Sequence, residues 1–256
     1  MSLYARFRRK RIASKPLPPE WLALIERDVP CFRQLAGADQ EELLRHLAIF
    51  LAEKHFAGAG GFTVTDEVRL VIAVQACLLL LHRDTDYYPA LSSIVVYPGE
   101  YRAPRRDWDG PWVVTEWMEI RAGESFEGGT VVLSWEDVTM GLSGQWPGYN
   151  VVFHEFAHQL DEESWPPDGT PPMPHIERSR FVEVMQREYE QLRTKDEQGI
   201  ETLLDPYGAE NPAEFFAVAT ESFFSQPADL LAVHPELYEV LKCYYRQDPA
   251  LWINHV

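Results

Sequence analysis

The chain has 256 residues, enough for one large domain or two small ones, and its hydrophobic content of 46% is that of a globular core. Its net charge of −17 argues against a surface made for nucleic acid. Three scattered cysteines, Cys31, Cys77 and Cys243, give neither a disulfide framework nor a C-x-x-C pair, so free thiols in a cytoplasmic protein are expected.

Arg6, Arg8, Arg9, Lys10, Arg11 and Lys15 crowd the first fifteen positions. Residues 1–18 read as a basic, flexible arm ending at Pro16, Pro18 and Pro19. No apolar stretch follows to make it a secretory signal. The longest apolar run, Leu70 to Leu81, is too short to span a bilayer and contains Gln75.

Residues 19–90 read as helical. Trp21 to Val29 and Asp39 to Lys54 form the first two helices; Leu43, Leu47, Phe50 and Leu51 share one face of the second. Gly58, Gly60 and Gly61 break the pattern. Thr63 or Thr65 caps a third helix reaching about His82, apolar around most of its circumference and therefore a core element.

Residues 91–256 read as a sheet followed by a helical site region. Ile94–Tyr97, Trp112–Met118 and Thr130–Trp135 have the composition of short strands, predicting an α+β arrangement with a small mixed sheet. The strand Val131 to Trp135 reads equally as a sheet edge, open to an extended substrate, or as an internal strand. Pro147 and Gly148 mark a turn, and Asn150 is a natural cap for the next helix.

That helix carries His154-Glu155-Phe156-Ala157-His158, an H-E-x-x-H sequence. Side chains four apart share a helix face, so the two imidazoles can hold one zinc ion. Glu155 between them can serve as general base for a water activated by the metal. No charge other than Glu155 lies between Val151 and Leu160. An amphipathic helix with two incidental histidines is the competing reading.

A proline- and glycine-rich loop, Ser164 to Pro174, follows, then helices from Glu177 to Arg193, from Asn211, and within Ala228 to Tyr245. A catalytic zinc takes three protein ligands and keeps one position open. Glu210, Glu214 and Glu221 are the candidates for the third. Glu214 falls three residues after the Asn211 cap, where a capping box would instead turn it back to the cap amide. Glu221 lies seven residues further on the same face. Spacing leaves the choice open. Asp161 is a further carboxylate one turn beyond His158, able to orient the site or form a plain salt bridge. Trp146 and Trp165 flank the metal helix closely enough to line a cleft.

The metal helix, Tyr207 and the Ala-Glu-Phe-Phe-Ala segment at 213–217 resemble the catalytic domain of anthrax lethal factor. From about residue 20 to 249 the chain more closely resembles the Mlc titration factor A family of bacterial zinc peptidases. The matching stretches are Val-Tyr-Pro at 96–98, Val-Val-Leu-Ser-Trp at 131–135, residues 150–161 and Asn-Pro-Ala-Glu-Phe-Phe-Ala-Val at 211–218. The resemblance implies a zincin-like fold of gluzincin type over residues 19–256, with one zinc per chain. It implies His154, His158 and Glu214 as ligands, Glu155 as the base, and Tyr207 as a helper for the oxyanion. It also implies aminopeptidase-type hydrolysis of peptides and binding of the glucose-responsive repressor Mlc. A non-catalytic module that sequesters a transcriptional regulator is the alternative; the intact Glu155 speaks against it as the sole function, since a structural zinc needs no base.

Overall fold

The computed structural model describes residues 3–99, 101–108, 114–121, 123–126, 129–164 and 166–255. Trp112, Val113 and Trp165, which figure in the expectations above, lie outside them.

The basic segment departs from the arm expected of it. Leu3–Ala13 is a helix, α1, packed on α4 (Gly37–Glu53) after two short helices, α2 (Pro19–Asp28) and α3 (Pro30–Gln34). Arg8 and Arg9 both pair with Glu53, and Arg9 also pairs with Asp86 and lies over the Tyr87 ring at 4.7 Å. The acidic partners sit more than forty residues away in sequence, so local charge counting cannot find them.

A four-stranded mixed sheet follows the order β1 (His55–Gly58), β2 (Ser93–Tyr97), β6 (Thr130–Ser134), β5 (Gly123–Phe126). The first three strands are parallel and β5 is antiparallel to β6. The core helix α5 (Asp66–Leu78) links β1 to β2; its Thr65 cap accepts from the Val68 amide. A separate hairpin, β3 (Tyr101–Trp108) with β4 (Val114–Arg121), is inserted between β2 and β5. Ile94, Val96, Val131 and Leu133 point into the main core, while Val132, Val95 and Tyr97 form a small cluster on the other face.

Two expectations change here. The sheet starts at His55, inside the region read as purely helical. And β6 lies between β2 and β5, so it is an internal strand with no edge to offer a substrate.

The remaining elements are helical: α6 (Trp135–Leu142), α7 (Val151–Asp161), α8 (His175–Glu197), a 3-10 turn at Pro206–Ala209, α9 (Pro212–Ser225), α10 (Pro227–Val233), α11 (Pro235–Tyr245) and a 3-10 segment Pro249–His255. One buried cluster runs from Ile25 to Tyr245 and takes in both α7 and α9. Phe156, in the middle of the histidine motif, packs against Tyr88 at 5.0 Å and Phe50 at 5.9 Å. The motif helix is thus fixed to the core on one side and presents its histidines on the other. Among the described residues no helix is long and apolar enough to cross a membrane.

Candidate metal centre

The site is built on two helices. Asn150 caps α7 through Oδ1, which accepts from the Phe153 amide at 3.0 Å. Its Nδ2 donates to Gln75 Oε1 on α5 at 2.7 Å, and Gln75 Nε2 donates to Val71 O. The cap therefore also ties the histidine helix to the core helix. We expect Asn150→Ala to lower the unfolding free energy by about 2–3 kcal/mol, read by denaturant titration. It loses a helix cap and leaves the buried Gln75 carbonyl without its donor.

On the α9 side, Asn211 Oδ1 accepts from the amides of Ala213 and Glu214, both at 3.0 Å. The Glu214 carboxylate turns toward the histidines rather than back to the cap. His154 Nε2 lies 3.0 Å from Glu214 Oε2, His158 Nε2 lies 3.2 Å from the same oxygen, and the two Nε2 atoms are 3.2 Å apart. For a tetrahedral ion with bonds of about 2.0–2.1 Å, donor atoms sit roughly 3.3 Å from one another. The three atoms fit that triangle. Among the described residues this is the one group of His, Cys, Asp and Glu side chains placed to hold a metal.

Glu221 takes a different position. Its Oε1 accepts from His154 Nδ1 at 2.7 Å, and its Oε2 accepts from the Asn150 amide. A hydrogen bond at Nδ1 fixes the tautomer and leaves Nε2 to face Glu214. Glu214 meets both histidines and Glu221 meets the start of α7, so the two helices run antiparallel.

Glu155 is only 5% exposed, and burial pushes its carboxyl up to about 7 against the pull of His154 and His158. Burial likewise raises Glu214, but the two imidazoles outweigh it and hold the carboxyl well below the usual range. For His154, burial opposes protonation, yet Glu221, Glu214 and Glu155 together keep its pKa well above that of a free imidazole. Three carboxylates around two imidazoles leave a negative excess that suits a cation.

Tyr207 lies on the 3-10 turn, 46% exposed, with its ring centroid 5.9 Å from that of His154. Asp161 has another task than a salt bridge: its Oδ2 accepts from the Gly169 amide at 2.7 Å. Gly169 has φ +75°, and a Cβ there would come within 2.2 Å of the Pro212 carbonyl. Asp161 thereby holds the chain at Gly169 against the first turn of α9. The remaining histidines are placed elsewhere; His46 and His82 face Glu42, and His234 faces Glu188.

The chain matches the family described as glucose-regulated metallo-peptidase M90 over residues 4–246. An uncharacterized protein, slr2042, from Synechocystis sp. is 39% identical over 247 residues, 96% of this chain and 90% of its own length. A Yersinia pestis protein called Mlc titration factor A is 28% identical over 228 residues, 87% of this chain and 83% of its own. A Yersinia pseudotuberculosis protein of the same name matches equally well. The chain therefore belongs to the glucose-regulated metallo-peptidase M90 family.

Proposed function

We propose that this protein is a zinc-dependent peptidase of gluzincin type, acting in the cytoplasm. The observation that carries the proposal is the 3.0–3.2 Å triangle of His154 Nε2, His158 Nε2 and Glu214 Oε2, with a buried glutamate beside it. These three atoms would hold one zinc. When bound, zinc supplies Lewis acidity for a peptide carbonyl and lowers the pKa of a water.

The rest of the chemistry falls to the chain itself. Glu155, raised toward neutrality, accepts the proton of the attacking water and delivers it to the leaving amine. The Tyr207 hydroxyl donates to the developing oxyanion. Glu221 keeps His154 oriented through Nδ1. The free edge nearest α7 is β5, paired only with β6 among the described residues. An extended peptide can add there as a further strand.

Aminopeptidase-type specificity and binding of an Mlc-like repressor extend this reading. They are supported by the resemblance and by the name of the Yersinia relatives. The test is a peptide-library digest with the full chain, as purified, stripped by chelator, and reloaded with zinc. Cleavage should vanish on stripping and return with zinc. Unchanged cleavage after stripping would overturn the proposal.

A further inference from the structure

A cavity of about 520 Å³ opens between the 146–149 turn before α7 and the 202–206 segment before Tyr207. Both of its walls lead along the chain into the candidate metal centre. Tyr149 in its wall precedes the α7 cap, and Pro206 in its wall precedes Tyr207, the residue whose ring leans on His154. Gln226, the residue that ends α9, braces the two walls. Its Nε2 donates to the Leu203 carbonyl at 3.4 Å and to Ser222 Oγ at 3.1 Å. Gly148, at φ +81°, packs so closely on Gln226 that a Cβ would come within 2.4 Å of Nε2.

The lining is acidic. Asp137 and Asp205 contribute carboxylates, and none of the described lining residues is basic. Asp137 is 95% buried, being 5% exposed. Its Oδ1 accepts from the Tyr149 hydroxyl at 2.8 Å, but its Oδ2 has no hydrogen-bond partner among the described residues. Leaving a buried carboxylate oxygen without a donor costs free energy that a cationic donor would recover. Trp146, 59% exposed, adds an aromatic face at the same cavity, and aromatic faces attract cations. Burial and the hydrogen bond to Asp137 raise the Tyr149 phenol, which keeps its hydroxyl a donor to Asp137.

We infer that this cavity is a subsite for a cationic group of the peptide, an ammonium or guanidinium, held by Asp137 and Asp205 beside Trp146. The inference rests on the peptidase reading for the identity of the ligand as a peptide. The positive group has two sources, the amino terminus or a lysine or arginine side chain.

The test reads binding without turnover. Zinc-loaded full-length Glu155→Gln protein is titrated by calorimetry with four probes: trialanine amide, its N-acetyl form, N-acetyl-Ala-Lys-Ala amide, and the same peptide with norleucine for lysine. At least one cationic probe should bind about tenfold more tightly than its neutral partner. A preference for the free amine assigns the amino terminus, and a preference for lysine assigns the side chain. Asp137→Asn, which keeps the Tyr149 acceptor, should reduce the ratio to about threefold or less. Should that variant fail to fold, the exposed Asp205→Asn and Trp146→Ala carry the same expectation in smaller measure. Equal binding of cationic and neutral probes overturns the inference, as does a ratio that survives all the variants that fold. The peptide-library digest with the zinc-loaded wild-type chain is run in parallel. Absence of cleavage there would overturn the peptidase reading while leaving a cation preference in place; cleavage without a preference overturns the subsite alone.

Discussion

Glu155→Gln should reduce peptide hydrolysis by about 10²- to 10⁴-fold, the usual worth of a positioned general base. Its zinc content should be that of the wild type. Glu155 is not among the three converging donors, so its amide leaves the triangle of His154, His158 and Glu214 intact. Glutamine is nearly isosteric, and the substitution removes a carboxylate that burial already disfavours, so thermal stability should not fall. Tyr207→Phe is the useful comparison. It keeps the ring beside His154 and deletes one donor, and a loss of about 10² in kcat with unchanged zinc is expected. The variant also separates catalysis from regulation: if Glu155→Gln still binds an Mlc-like repressor, the two properties are independent. Hydrolysis at the wild-type rate in Glu155→Gln would remove the proposed chemistry altogether.

How much of this was legible in the sequence depended on the range of the interaction concerned. The α7 helix was readable because its signals are local. Asn150 supplies the cap, the i, i+4 spacing puts two imidazoles on one face, and Val152, Phe156 and Leu160 supply the buried remainder. β2 and β6 were readable from their β-branched runs. β1 was not. His55-Phe-Ala-Gly has little strand character and is a strand because β2 lies beside it: the His55 amide donates to the Ser92 carbonyl and the Ala59 amide to Val96. Gly58 reads as a breaker, yet it is needed where the chain doubles back; a Cβ would come within 1.9 Å of the Phe62 carbonyl. The fixing of α1 likewise depended on Glu53 and Asp86. Nothing in the local sequence around Asp137 distinguishes it from any acidic residue in a first helical turn. Its significance comes from a missing partner and a cavity, both products of the tertiary fold.

The choice between Glu214 and Glu221 shows the same limit and yields the second large effect. Seven residues apart, the two carboxylates share a helix face about 10.5 Å apart along the axis, so periodicity ranks them equally. The antiparallel packing of α9 on α7 breaks the tie. It sets Glu214 against Nε2 of both histidines and Glu221 against Nδ1 of His154 and the Asn150 amide. Glu214→Ala removes a donor from the triangle, whereas Glu221→Gln keeps one acceptor for the His154 Nδ1 proton, removes the charge and turns its NH2 toward the Asn150 amide. Replacing a group that orients a metal-binding histidine typically weakens the metal by about 10- to 100-fold. Glu221→Gln should therefore fall in or below that range in a competition titration against a chelator, and Glu214→Ala should exceed it. Both variants should fold, since the Glu214 side chain, 17% exposed, faces the histidines rather than the apolar core, and the glutamine retains the bulk of Glu221. The reverse order of affinities would make Glu221 the ligand, and it would require α9 to slide by two turns relative to the histidines.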